Sequence, residues 1–284
     1  MTEFALEPWA SARREELEAL LAARLHQPAR AEDPGRLIES MRYSLLSPGK
    51  RLRPLLALAA AEAVGAAASE PVRIAAASIE LVHCYSLVHD DLPAMDDDEL
   101  RRGQPTNHKV FGEAMAILAG DGLLTLAFEW VAEAGLAARK RGEPGDYLRA
   151  ALALARGAGM WGMVRGQARD LGEPPPASLA GIERLHGEKT GALFRAAVEL
   201  GGAIGGATEA QLEALVRFGE AYGIAFQHAD DRDDAEHDGF AAEARARMVT
   251  LVGAALTALQ TFDQRAEPLR AIARALALRA GGQG

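Results

Sequence analysis

Two short stretches concentrate carboxylates at spacings that suit a chemical task. HDDLPAMDDDEL at 89–100 carries Asp90, Asp91 and Asp96, with Asp97, Asp98 and Glu99 directly behind. FQHADDRDDAEHD at 226–238 carries Asp230, Asp231 and Asp234. In the second stretch the spacings of three and four put all three aspartates on one helical face. In the first, Asp96 would point away from Asp91 on a continuous helix, but Pro93 interrupts the helix, and a local bulge there can return Asp96 to the pair. Like charges packed this closely repel, so something positive should offset them. Mg²⁺ is the natural candidate: it is hard, prefers oxygen, and is usually held by one or two carboxylates together with substrate phosphates. A single Asp-Asp pair is ordinarily a solvated face. Two clusters, each closing a strongly apolar segment, call for more than that.

Basic residues supply the complementary half. SPGKRLRP at 47–54 sets Lys50, Arg51 and Arg53 between a glycine and a proline, hence near a helix start, where free backbone N–H groups and the helix dipole favour anions. Arg101 and Arg102 follow the first acidic block, and Lys189 lies in HGEKTGALF. Arginine offers a planar fork matched to phosphate and lysine a point charge. Taken singly, each is an ordinary surface cation. Beside metal-binding carboxylates they point to a site for two phosphorylated substrates, one held through Mg²⁺ and one by cations directly.

The elements that must position these groups read as helices. Of the 284 residues 49% are hydrophobic but only 5% aromatic, and alanine and leucine, both strong helix formers, supply most of the apolar content. Breakers are short: AEDPG at 31–35, KRGEPGD at 140–146, GEPPPAS at 172–178 and GGAIGGAT at 201–208. Between them apolar residues recur three and four apart, which predicts an all-α chain forming a single domain over 1–284. The stretch 71–92 is apolar on nearly every side, with Pro71 suited to a first turn, so it is predicted to run through the middle of a bundle. The segment before the second acidic cluster, LEALVRFGEAYGIAFQHA, is likewise apolar.

The formal charge of −9 argues against nucleic-acid binding. Cys84 is the one cysteine, which excludes an internal disulfide and fits a reducing, cytoplasmic compartment. The first residues, MTEFALEPWASARREE, do not read as a signal peptide. The longest apolar stretches are broken by Glu62 and Asp121, short of the roughly 20 residues a membrane span needs.

With these motifs in order along the chain, it resembles the trans-type polyprenyl diphosphate synthases, most closely the bacterial farnesyl diphosphate synthases. RYSLLSPGKRLRPLL, LVHCYSLVHDDLPAMDDDELRRGQPTNHKVFGEAMAILAGDGLL, RGQARDL, HGEKTGALFRAAVELG and GIAFQHADDRDD carry the resemblance, which extends over about residues 35 to 240. It implies the isoprenoid-synthase helical bundle around a deep central cavity. It also implies Mg²⁺, three ions with substrate bound, on Asp90, Asp91 and Asp96 and on Asp230, Asp231 and Asp234. Lys50, Arg53, His83 and Arg102 match positions that bind isopentenyl diphosphate. Arg101, Lys189, Thr190 and Gln227 match positions that bind the allylic diphosphate. By itself His83 reads more readily as a satisfied core histidine, but it lies two helical turns before Asp90, which points it towards the same site. Asp90, Asp91, Asp96, Arg101 and Lys189 carry the catalytic expectation, and the family is generally homodimeric.

Tyr85 and Ser86, five and four residues before Asp90, match the positions that set product length. An aromatic at the first of them, with the Pro-Ala insertion, resembles the type that makes the C15 product, and C10 or C20 stay open because one side chain can retune the cavity. Tyr85 also reads as an ordinary core aromatic. The chain departs from the family after Asp234, where a Gly-Lys, a second lysine and part of a helix have no counterpart, leaving Arg245 or Arg247 as the available substitute. His228 and Arg232 stand where the family is usually apolar, and Arg232 is placed to pair with the neighbouring carboxylates. An active chain-elongating enzyme, a non-catalytic partner subunit and a terpene cyclase are the readings in play. The intact first motif favours the first, the shortened region the second, and aspartates in place of an Asn/Ser/Glu motif disfavour the third.

Overall fold

Alanine and leucine dominate the buried positions, and the chain answers with helices almost throughout. A computed structural model describes residues 4–25, 33–233 and 241–281. The helices in order are α1 (Leu6–Arg24), α2 (Leu37–Leu45), α3 (Leu52–Ala63), α4 (Glu70–Asp90), α5 (Asn107–Phe111), α6 (Glu113–Arg141), α7 (Tyr147–Ala158), α8 (Met163–Gly172), α9 (Leu179–His186), α10 (Ala192–Ile204), α11 (Glu209–Asp233), α12 (Ala241–Ala258) and α13 (Glu267–Gly281). Among the described residues the β structure is a single two-stranded hairpin, β1 (Leu100–Arg101) with β2 (Gln104–Pro105), registered Leu100 to Pro105.

The prediction for residues 71–92 holds closely. Pro71 occupies the first turn of α4, where it displaces no needed hydrogen bond. The helix is buried on all sides, from Val72 and Ile74 through Ile79, Leu81 and Val82 to Val88. It packs most extensively on α6 and also meets α3 and α10. Around α10 the contacts are with α3, α7 and α11, and α12 then covers α11.

Two sequence expectations need correction. GGAIGGAT does not break the chain at its start: α10 continues through Gly201 and Gly202 to Ile204. A Cβ at Gly201 would lie 2.1 Å from the Ala57 carbonyl oxygen, so glycine there lets α3 and α10 approach closely, and the stop comes at Gly206, with φ of +80°. The second concerns α6, which is long and apolar enough, by length and composition, to cross a membrane despite Asp121. In the fold its Ala116, Ala119, Leu123, Ala127, Trp130 and Val131 are buried in the protein.

Candidate active site

The first acidic motif sits where α4 stops. Pro93 follows the end of the helix, and the chain turns back on itself: the Asp96 amide donates to the Asp90 carbonyl at 2.9 Å and the Asp97 amide to the Leu92 carbonyl at 3.2 Å. Asp97 adopts a left-handed φ of +53° to close this turn. The bulge inferred from Pro93 is therefore present, and it brings the Asp96 backbone beside Asp90. The hairpin that follows turns on Arg102 (φ +53°) and Gly103 (φ +78°), the geometry of a two-residue type I′ connection. It sends Arg101 and Arg102 back towards α4.

The two arginines go to different partners. Arg101 donates to the Asp91 carboxylate at 2.6 Å and to Asp98 at 3.2 Å, and Asp91 is buried. Arg102 donates to the Pro48 carbonyl at 2.6 Å. A Cβ on Gly49 would lie 2.7 Å from the Arg102 guanidinium, so Gly49 is what admits it. This contact docks Arg102 against the segment that carries Lys50, which is exposed just before α3. Arg51, by contrast, turns inward. It is buried, donates to the buried Glu80 carboxylate of α4 at 2.9 Å and to the Ser47 carbonyl at 2.8 Å, and takes a left-handed φ of +51° as it enters α3. It anchors the basic segment to α4.

Arg53 and His83 face inward as well. The Arg53 guanidinium lies 4.5 Å from the Phe194 ring centroid, a cation–π arrangement, on a shelf that Phe194, Tyr222 and Phe226 build from α10 and α11. Burial lowers its pKa to about 10, against the raising influence of Glu80 and Asp230, so it stays charged at neutral pH. Burial also holds His83 well below its ordinary range, reinforced by Arg53, Arg102 and Arg101; its imidazole is neutral at pH 7.

Lys189 and Thr190 come from an irregular turn. Between α9 and α10, residues Gly187–Gly191 form a π-helical turn, a feature often found at functional sites. Gly166 of α8 abuts it: a Cβ there would lie 2.2 Å from the Lys189 amide nitrogen. Lys189 donates to Asp170 of α8 at 2.5 Å.

Part of this set shares a hollow, from whose lining Lys50 and Asp96 are absent. A cavity of about 440 Å³ is lined by Arg53, His83, Tyr85, Ser86, Asp90, Lys189 and Thr190, with Met95, Met163 and Leu171 among its apolar walls. A smaller hollow of about 40 Å³ is lined by His83, Asp91, Arg101, Arg102 and Arg51. His83 borders both. Burial raises the Asp90 pKa to about 6; Lys189 opposes the shift and Asp96 adds to it. Burial likewise raises Asp91, opposed by Arg101. The second motif approaches the same space through Asp230, which acts electrostatically on Arg53. Gln227 is one turn before Asp230, half-buried and outside the cavity lining. Asp231 lies on the last turn of α11, its side chain outside the described residues, as are Arg232's side chain and the whole of Asp234.

Among the described residues no three His, Cys, Asp or Glu side chains converge as a ready cation cage. Mg²⁺ does not need one, since it keeps its waters and relies on one or two carboxylates plus phosphate oxygens. The donors fit: Asp90, half-buried beside Asp96 and Asp91, is a carboxylate whose crowding a dication relieves.

Sequence reading missed three participants. Asp170 of α8 pairs with Lys189 of the π turn. Phe194 seats Arg53. Gln167 of α8 lines the cavity with both its amide nitrogen and oxygen buried and unpartnered among the described residues. A polar pair three apart, Gln167 and Asp170, in RGQARDL was the available signal. Neither proposed substitute for the missing lysine reaches the cavity: Arg245 is exposed, and Arg247 donates to Glu183 of α9 at 2.8 Å. His228 joins that same carboxylate at 3.2 Å, so α9, α11 and α12 meet at Glu183.

Comparison with known proteins gives a consistent result. A family model described as polyprenyl synthetase matches residues 34–243. A farnesyl diphosphate synthase from Geobacillus stearothermophilus is 45% identical over 237 residues, 83% of this chain and 77% of its own length. A chloroplastic geranylgeranyl pyrophosphate synthase from Arabidopsis thaliana is 48% identical over 206 residues, 70% of this chain and 56% of its own. Among solved structures, an FPP/GFPP synthase from Zymomonas mobilis superposes with a TM-score of 0.85 at 40% identity, covering 95% of this chain and 98% of its own.

Proposed function

This chain belongs to the polyprenyl synthetase family, and from that premise we propose that it condenses isopentenyl diphosphate with dimethylallyl or geranyl diphosphate to make farnesyl diphosphate. The observation that carries this reading is the single cavity in which Asp90, Lys189, Thr190 and Arg53 meet an apolar interior bordered by Tyr85. The allylic diphosphate is held by Lys189, Thr190, Gln227 and Arg101, and isopentenyl diphosphate by Lys50, Arg53, His83 and Arg102. Magnesium on Asp90, Asp91 and Asp96 and on Asp230, Asp231 and Asp234, when bound, neutralises diphosphate charge and makes it a competent leaving group.

The allylic C–O bond breaks with its electron pair leaving on diphosphate. The double bond of isopentenyl diphosphate then forms the new C–C bond, and the proton lost from the adduct goes to an oxygen of the released diphosphate. Side chains contribute orientation and charge: fixed cations act where negative charge grows, and alignment of the two substrates supplies a large part of the rate. The neutral His83, bordering both hollows, donates or accepts a hydrogen bond without adding charge. Tyr85 lies five residues down α4 from Asp90, about 7.5 Å at the helical rise, and borders the same cavity; an aromatic ring there supports a C15 product.

The reading extends to a cytoplasmic homodimer. Exposed Ile117, Leu118 and Leu136 of α6, with Leu148 and Leu152 of α7, present apolar side chains on two helices that pack together, and a second copy covers them. Light scattering gives twice the monomer mass if so. The test of function is incubation of purified protein with Mg²⁺, isopentenyl diphosphate and either primer, followed by product sizing. Farnesyl diphosphate is expected. Absence of elongation with both primers overturns the proposal in favour of a partner subunit, to which the shortened stretch after Asp234 would then belong.

A further inference from the structure

Tyr85 does not border the cavity by itself. One turn along α4, His89 borders it too, and the His89 ring meets the Tyr85 ring edge-on, with centroids 5.7 Å apart and planes at 78°. Edge-to-face contact of this kind has a preferred geometry, so the placement of one ring constrains the other. The far side of His89 is held by α6. Its Nε2–H donates to the Ile117 carbonyl at 3.1 Å, and Nε2 lies 4.0 Å from the Asp121 carboxylate. Gly120, buried between those two residues, is what makes room. A Cβ there would lie 2.1 Å from Nε2, 2.5 Å from Cδ2 and 2.8 Å from Cε1 of His89. No ring can share that space with a methyl group.

We infer that Gly120 and His89 are specificity-determining residues, which fix the usable depth of the prenyl cavity by setting where the Tyr85 ring stands. The inference rests on the prenyl-elongation reading and adds to it a determinant outside the acidic motif's own flank. Gly120 acts from behind: by lacking a side chain it lets His89 withdraw against α6 and bond the Ile117 carbonyl. Any side chain at 120 drives the imidazole off α6 towards Tyr85 and the cavity, shortening the space. Removing the imidazole frees Tyr85 to swing into the vacated volume, deepening it.

The test is a product profile from isopentenyl and dimethylallyl diphosphates, resolved by chain length, for four proteins: wild type, Gly120→Ala, His89→Ala and the double variant. Gly120→Ala is expected to move the main product one prenyl unit shorter, towards geranyl diphosphate. His89→Ala is expected to move it one unit longer or to broaden it upward. In the double variant the added methyl meets no ring, so its profile should return to that of His89→Ala. Calorimetric titration with unreactive thio-analogues of geranyl and farnesyl diphosphate gives a second readout, in which Gly120→Ala lowers the affinity for the farnesyl analogue at least tenfold relative to the geranyl one. If Gly120→Ala does not fold, His89→Ala still decides. Should the wild type elongate normally while both single variants keep its product ratio, the inference is overturned and the functional reading stands. Should the wild type itself fail to elongate, the functional reading falls first.

Discussion

Asp90→Asn should make the metal-free protein more stable while abolishing its catalysis. The Asp90 carboxyl rises from 3.8 to about 6, chiefly through burial, with Lys189 and Arg101 opposing the shift and Asp96 and Asp91 adding to it. In the unfolded chain it loses its proton near 3.8, and in the fold only near 6. Between those values the native state binds more protons than the unfolded state, so stability declines as pH climbs through the window. At about 1.36 kcal/mol per unit, the shift costs about 3 kcal/mol once pH exceeds the folded value. Asparagine keeps the shape and removes the charge. Urea unfolding in chelator at pH 8 should therefore show the variant up to about 3 kcal/mol more stable, a gain that shrinks to about half at pH 5, where the native carboxyl is mostly protonated. Mg²⁺ with diphosphate should reverse the order by stabilising the wild type more than the variant. A variant less stable than wild type at pH 8, or a difference that ignores pH, would refute the claim that Asp90 is held under electrostatic and desolvation stress.

Three further outcomes follow from the same geometry. Tyr85→Ala should lengthen the main product by at least one prenyl unit, read by chromatography of the dephosphorylated alcohols; an unchanged product would remove Tyr85 from the cavity's end. Gly166→Ala should leave the helical circular dichroism intact but cut kcat on the order of a hundredfold or more, because a Cβ 2.2 Å from the Lys189 amide nitrogen displaces the π turn that presents Lys189 and Thr190, and misplacement by about 1 Å is that costly. Glu183→Ala should destabilise the fold by about 2 kcal/mol, since it removes charge-assisted partners from both Arg247 and the buried His228; denaturant midpoints that match wild type would show the three-helix junction to be incidental.

Which parts were legible in the sequence follows from how local each signal is. The helix Glu70–Asp90 was readable because apolar residues on nearly every side and an N-terminal proline are properties of the segment itself. The return of Asp96 towards Asp90 was readable because Pro93 acts on its own neighbours. The left-handed conformation at Arg51 was not, since an arginine disfavours it and distant contacts, such as Glu80 on Arg51, hold it. The π turn at Gly187–Gly191 was invisible for the same reason: no composition announces it, and its neighbour Gly166 is more than twenty positions away in sequence. Motif order gave the inventory of the cavity, while the partner of each charge depended on which helices pack together.

Those partners change how the site should be understood. As a list of residue types it is a wall of acid facing a set of cations, each expecting a ligand. In the fold the opposite charges have already found one another: Arg101 with Asp91, Lys189 with Asp170. Neither pair is deeply buried on both sides, so neither is worth much as a stabilising bridge, and each is cheap to exchange. On the proposed function, Arg101 and Lys189 would turn to the oxygens of a bound diphosphate, and Asp91, released by Arg101, would be free to hold magnesium. Either ligand arriving alone satisfies half of each pair and strands the other half. Binding of metal and diphosphate should on these grounds be mutually cooperative, with each raising the affinity for the other by the same factor, and Arg101→Gln, which leaves Asp91 without its resident partner, should tighten Mg²⁺ binding in the absence of diphosphate even as it weakens diphosphate binding. Paired titrations of the wild type and this variant by calorimetry measure both effects, and Mg²⁺ affinity that is indifferent to the substitution would show that the Arg101–Asp91 contact does not compete with the metal.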